Sequence, residues 1–206
     1  MSIVVTAAAL ASGASAGGTP SDRRVKACES AGTTVAANGV ARVFRQRRGK
    51  IPGYYACRFG TRRARFLESY DRDGGGGVGR IQLTGARVAF DYLVCSRGGP
   101  CTGSVRVVHL RSGMTRRSET PPSDPDNPFS ATSAATDLEL TRRGSVAWLR
   151  PRQLATGTDV QVFKFERGSA AVLLDQGPAI DPRSLAVSGS TVYWIHDGQP
   201  RAAPIR

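Results

Sequence analysis

The sequence predicts an all-β protein made of repeated antiparallel β-meanders, β-propeller-like, with about four small or incomplete blades. Three observations predict it. One strand ending recurs four times, over Val35 to Phe44, Ile81 to Phe90, Leu138 to Trp148 and Leu185 to Trp194; between the closing aromatics the steps are 46, 58 and 46 residues, against roughly 40 to 50 for a propeller blade. Apolar residues alternate with period two, and no window keeps a helical period of useful length. Glycine (24) and proline (12) fall between the alternating runs, where antiparallel neighbours need tight reversals.

The elements follow in chain order. Ile3 to Leu10 is a short apolar run, and Ala14-Ser15-Ala16 behind it is the small-x-small pattern of a cleavage site, so residues 1–16 read as a signal peptide and the product as secreted or extracytoplasmic. No Lys or Arg precedes the run; the competing reading is a buried N-terminal strand, poor in the residues that fill one. The run is far shorter than the roughly 20 residues that cross a bilayer, and no transmembrane segment is expected.

Residues 17–206 then form one repeat domain, with repeats near 33–78, 79–119, 136–177 and 183–206. Behind the repeated strands lie further alternations at Tyr54 to Phe59, Arg65 to Leu67, Val105 to Leu110, Val160 to Phe165 and Ala171 to Leu174, separated by turn signals at Gly60-Thr61, Arg111-Ser112-Gly113 and Glu166-Arg167-Gly168. The long middle step coincides with a proline-rich stretch at 120–132, read as an inserted loop because proline cannot donate to a ladder. The fourth unit stops early, with a turn at Asp197-Gly198 and only Pro200 to Ile205 left for a strand. Arg23 to Cys28 is a candidate to complete it by closing the ring; an open stack of sheets and a β-sandwich are the alternatives. In each modular case Phe44, Phe90, Trp148 and Trp194 should occupy equivalent interior seats.

The four cysteines allow three pairings. Cys95 and Cys101 flank a loop able to turn back on itself, which leaves Cys28 and Cys57 to tie the leading segment to the first repeat. Disulfides suit an oxidising compartment. With no Cys-x-x-Cys pair and no ligand spacing between His109 and His196, no metal site is expected.

The strand endings Val-Ala-Phe90 and Val-Ala-Trp148, the run Val105 to Gly113 and the run Ser184 to Trp194 resemble exported β-propeller-like repeat proteins of bacteria, over roughly residues 33 to 205. The resemblance implies a fold, and a role in binding or scaffolding rather than a shared reaction.

Motifs with a chemical meaning are few. Gly13 to Gly17 matches Gly-x-Ser-x-Gly but sits at the presumed cleavage site, without the strand and helix of a nucleophile elbow. Gly74 to Gly79 fits Gly-x-Gly-x-x-Gly, yet a strand follows where a phosphate-binding helix is required. Asp71 and Asp73 resemble the start of a calcium loop, whose twelfth position is Gln82 instead of Glu. His109 shares a strand face with Val105 and Val107 and reads as a half-buried structural ring. His196 follows Trp194 on one face and adjoins Asp197, as a base and its orienting carboxylate would, although Asp197-Gly198 equally serves as a hairpin turn. No carboxylate pair marks a glycosidase, no cofactor is expected, and no catalytic residue is assigned.

Charge is the strongest remaining signal: 29 Lys and Arg against 16 Asp and Glu, a net +13, and a pI near 10.7. The excess is almost wholly arginine, in short clusters beside turns, of which Arg62, Arg63 and Arg65, Arg116 and Arg117, and Arg142 and Arg143 are the candidate binding residues. If the repeats stack, such clusters fall on one rim and offer guanidinium forks to phosphate or carboxylate; the alternative is that the charges are simply solvated. The chain carries no recognised nucleic-acid module or interleaved aromatics. The sequence therefore predicts an exported binding or scaffold protein without catalysis, engaging an anionic envelope component or another protein; the alternative is a secreted hydrolase or lyase centred on His196.

Overall fold

The computed structural model describes residues 28, 31–48, 51–61, 63–69, 77–95, 101–119, 134–154, 156–167 and 169–206. The signal segment, Arg62, Asp71 and Asp73, the leading strand candidate apart from Cys28, and the 120–132 insertion lie outside them.

Among the described residues, fifteen strands form four antiparallel sheets, each a simple meander. The first sheet holds β1 (Thr33–Ala37), β2 (Ala41–Arg48), β3 (Ile51–Arg58) and β4 (Arg65–Ser69). The second holds β5 (Gly77–Thr84), β6 (Arg87–Cys95), β7 (Cys101–His109) and β8 (Thr115–Glu119). The third holds β9 (Asp137–Leu140), β10 (Val146–Leu154), β11 (Gly157–Phe165) and β12 (Ala171–Gly177). The fourth has three strands, β13 (Ala186–Ser188), β14 (Thr191–His196) and β15 (Gln199–Pro204).

The alternation of each second strand dictates how the sheets stack, because successive side chains leave opposite faces. Val88 and Phe90 of β6 pack with Ala41, Val43, Ala56 and Leu67 of the first sheet. The neighbouring Ala89, with Val105 and Val107 of β7, packs on Val146, Trp148, Phe163 and Phe165 of the third. Ala147 and Leu149 then face the other way, with Val160 and Val162, onto Val192 and Trp194 of the fourth. Each recurring aromatic thus lies on the second strand of its sheet, and Phe90, Trp148 and Trp194 each face the sheet before. Phe44 takes the same position in the first sheet, where no sheet precedes it; Cys28, Tyr55 and Cys57 cover it instead. All four rings are buried, the most accessible being Trp194 at 5%. Burying such a side chain stabilises the fold by about 1.5–3 kcal/mol.

The first strands β1, β5, β9 and β13 lie side by side in that order, while β1 and β13 share no extended contact. The sheets are also co-oriented. The Asn38 amide reaches the Gly85 carbonyl at 3.2 Å, joining the β1–β2 and β5–β6 turns, and the Thr84 hydroxyl donates to the Leu140 carbonyl at 3.0 Å. At the opposite end the Leu185 N–H donates to Asp137 Oδ2 at 3.2 Å, joining the beginnings of the fourth and third sheets.

The cysteines pair as Cys28–Cys57 and Cys95–Cys101, with S–S distances of 1.99 and 2.01 Å. The first bridge fixes the leading segment to β3; the second closes the β6–β7 hairpin, where Cys95 and Cys101 are direct cross-strand partners. Both fit an oxidising environment. No helix among the described residues is long and apolar enough to cross a membrane.

Candidate anion-binding rim

In a meander, the turns after the first and third strands fall at one end and the turn after the second at the other. Co-orientation therefore gathers residues 38–40, 59–61, 63–64, 85–86, 110–114, 141–145, 166–167, 169–170 and 189–190, with Arg206, onto a single rim. This rim carries arginine groups from three of the sheets.

Two clefts open on it. One, of about 690 Å³ between the first and second sheets, is lined by Arg58, Arg63, Arg65, Phe66, Leu110 and Arg111. Thr61 shapes its wall, its hydroxyl donating to the Arg58 carbonyl at 2.8 Å. The Arg65 guanidinium lies over Gly113, which has φ of 75°; a Cβ at that position would collide with it, so this turn needs glycine for conformation and space alike. The second cleft, of about 670 Å³ between the third and fourth sheets, is lined by Arg142, Arg143 and Arg206, by Glu139, and by Thr84, Thr141, Ser188 and Ser190.

Arginines cross between the two clefts. Arg87 Nη1 donates to the Arg142 carbonyl at 2.7 Å, and Arg116 Nη2 to the Gly144 carbonyl at 2.9 Å. These bonds hold the second sheet to the third and crowd like charges. Burial, then Arg167 and Arg87, lower the Arg116 pKa below its ordinary value. His109 feels the same field: burial, then Arg87, Arg111 and Arg116, push its imidazole below the usual range and favour the neutral ring. Its Nδ1 lies 2.9 Å from Ser112 Oγ. The two carboxylates at this end have partners of their own. Glu166 accepts from Lys164 Nζ at 2.9 Å and from the Arg206 N–H at 3.1 Å, and Glu139 accepts from Gln82 at 3.1 Å.

Of the arginines singled out in sequence, Arg63 and Arg65 share the first cleft, and Arg142 and Arg143 line the second. Arg116 is drawn into the inter-sheet contact, Arg117 is exposed beside it on β8, and Arg62 lies outside the described residues. Arg58, Arg87, Arg111, Arg167 and Arg206 escaped notice because each stands alone in sequence or was read as part of a turn; only register at the strand ends brings them together.

The opposite rim, called the acidic rim for its carboxylates Glu68, Asp137 and Asp175, also carries Arg47, Arg152 and Arg183, and its carboxylates are occupied. β4 and β12 each carry a bulge, with Tyr54 opposite Glu68 but Tyr55 opposite Phe66, and Val162 opposite Asp175 but Phe163 opposite Leu173. The extra residue breaks the alternation. Leu67 and Glu68 consequently both face the second sheet, and Leu174 and Asp175 both face the fourth. Glu68 binds Arg106 of β7, whose guanidinium also stacks 4.8 Å from the Tyr92 ring centroid. Asp175 Oδ2 accepts from Trp194 Nε1 at 2.7 Å and lies 2.9 Å from His196 Nδ1. Burial raises the Asp175 pKa, but hydrogen bonds from Trp194 and His196 outweigh it, and the net direction is down. The ionised carboxylate can only accept, so the proton sits on His196 Nδ1.

Of the two readings of Asp197, the hairpin turn is the one the backbone shows, and the carboxylate that orients His196 is Asp175. Asp197 Oδ2 is 3.7 Å from Nε2 on an exposed side chain; with φ of 52° at Asp197 and 69° at Gly198, the dipeptide makes the type I′ hairpin turn between β14 and β15. Among the described residues no hydroxyl or thiol hydrogen-bonds His196 as a nucleophile would. His109 lies where the sequence put it, on β7 beside buried Val105 and Val107. Gln82, from the calcium-like stretch, is committed to Glu139.

No protein-family model matches the chain, and no curated protein matches it.

Proposed function

We propose that this chain is an exported binding protein whose basic rim engages an anionic component of the cell envelope, without catalysis. The observation that carries the reading is segregation: arginines from the turns of three sheets meet at one end around two open clefts, while Glu68, Asp137 and Asp175 lie toward the other end in contacts between sheets. Guanidiniums that outnumber the carboxylates beside them, Glu139 and Glu166, raise a positive potential that attracts polyanions, and their forks suit phosphate, sulfate and carboxylate oxygens. The sheet arrangement supports an open, β-propeller-like arc of four units as the platform.

The test is retention on a polyanionic resin. Retention should fall as salt rises, and substitution of Arg63, Arg111 and Arg143 by Ala should move elution to markedly lower salt. Unchanged elution of that variant rejects the rim as the binding surface.

A second reading rests on the His196–Asp175 pair, which has the form of a base with its orienting carboxylate. It requires turnover of an envelope polymer that disappears in His196→Ala; folded wild type and variant that are equally inert reject it.

A further inference from the structure

We infer that the anionic partner of the basic rim is a lipid bilayer surface, into which apolar side chains at the same rim insert; this rests on the polyanion reading and names its partner. Large apolar side chains left exposed are informative when they cluster with charge. Val40 stands in the β1–β2 turn and Met114 in the β7–β8 turn, 40% and 49% exposed. Phe66, the second residue of β4, is 56% exposed, and Val172 and Leu173, second and third in β12, are each 45% exposed. All five belong to turns, or to the opening residues of strands that leave turns, at the arginine end; the Phe66 ring lies back over its sheet, edge-on to Tyr55 at 5.5 Å and beside Gly53, so Val40, Met114, Val172 and Leu173 are the tips. Three of the four sheets contribute.

The pattern is one of apolar tips set among guanidiniums. Phe66 follows Arg65 in the chain and lines the same cleft as Arg63 and Arg111; Met114 precedes Thr115 and Arg116. A soluble polyanion would be gripped by the arginines and the serine and threonine hydroxyls, and would leave Met114 and Leu173 in water. An anionic bilayer satisfies both classes at once: guanidiniums sit among headgroup phosphates, and the apolar tips sink to the acyl boundary. Arginine is suited to this because it is weakly hydrated and binds phosphate with two parallel hydrogen bonds. Each basic residue held near an anionic surface strengthens partitioning by about fivefold, so three or four arginines suffice for attraction and the apolar tips supply depth. The other large apolar side chains exposed among the described residues are dispersed: Val35 and Tyr193 lie within β1 and β14, and Val94 lies beside the Cys95–Cys101 bridge.

Co-sedimentation of the full protein with vesicles tests this. Phosphatidylcholine vesicles containing phosphatidylglycerol should pellet the protein, pure phosphatidylcholine vesicles should not, and added salt should weaken the association. The double substitution Met114→Ser and Leu173→Ser should reduce partitioning at least about tenfold, from the loss of two buried apolar side chains, while elution from a polyanionic resin stays at the wild-type salt concentration. In a separate M114W variant, indole emission should shift to the blue on phosphatidylglycerol vesicles and be quenched by lipids brominated on their acyl chains. If the double variant fails to fold, Val40→Ser and the M114W spectrum carry the test. Retention on the resin with no vesicle binding overturns the lipid inference and leaves the polyanion reading standing. Vesicle binding with no loss in the serine variants and no spectral shift overturns insertion. Failure on resin and vesicles alike overturns both.

Discussion

The two rims are built from the same turns and strand ends of the same four meanders, yet they handle charge in opposite ways. At the arginine rim, burial first and then crowded cations depress His109 and Arg116. At the acidic rim, Glu68 and Asp175 are each matched to donors on the next sheet. The lesson is that charge does structural work at one end and is left available at the other. Crowded like charge costs stability, and a fold tolerates it where the charge serves something else. Loss of an acidic-rim contact should therefore weaken the fold and spare polyanion binding, and loss of exposed arginines should do the reverse.

The largest effect is expected at Asp175. Asp175→Ala leaves the Trp194 N–H without its acceptor at a buried position and releases His196, and the expected loss is about 2 kcal/mol in urea unfolding. Retention on a polyanionic resin should not change while the variant is folded. A variant as stable as wild type would show that the clamp is incidental, and one that no longer binds would erase the division between the rims.

Glu68→Gln is the smaller version of the same experiment. Glu68 and Arg106 keep 16% and 17% of their side-chain surface exposed, so water screens the pair in part and Arg106 retains its place over Tyr92. About 1 kcal/mol is expected. A loss as large as that at Asp175 would mean that the bulge geometry, and not the indole and imidazole donors, sets the strength of these contacts.

At the other rim, the Arg63, Arg111 and Arg143 to Ala variant that loses polyanion retention should unfold within about 0.5 kcal/mol of wild type, as exposed surface changes do. A loss several times that size would place these arginines in the structural class with Arg87 and Arg116.

Much of this molecule was legible in its sequence, and the reasons differ by region. The sheets were legible because period-two alternation and the recurring aromatics report a seat that every module must fill. Phe44, Phe90, Trp148 and Trp194 fall on second strands because there both neighbours in the ladder and the facing sheet exclude water. The arginine groups were legible as residues beside turns; that those turns share one end follows from meander topology. The acidic clamps were hidden. One inserted residue in β4 and one in β12 rotate Glu68 and Asp175 onto a face that strict alternation denies them, and Asp175 meets His196 across 21 positions. Adjacency in the chain offered Asp197 instead, which the hairpin turn had already claimed.

The smallest effect separates the rims by pH. The imidazole of His109 is held below its ordinary 6.5 in the folded protein. As pH falls through 6.5 the unfolded chain takes up this proton first, so stability declines until the folded-state pKa is passed and then levels. Asp175 lies below its ordinary 3.8 when folded, so its contribution is complete above that value and is lost as pH falls through the lower folded-state pKa. Acid unfolding should show both limbs. His109→Gln should flatten the first alone and Asp175→Asn the second alone, with stability measured by urea denaturation at each pH. An NMR titration that finds the His109 midpoint at or above 6.5 would mean that the surrounding guanidiniums are neutralised in solution, and the contrast between the two ends would lose its electrostatic basis.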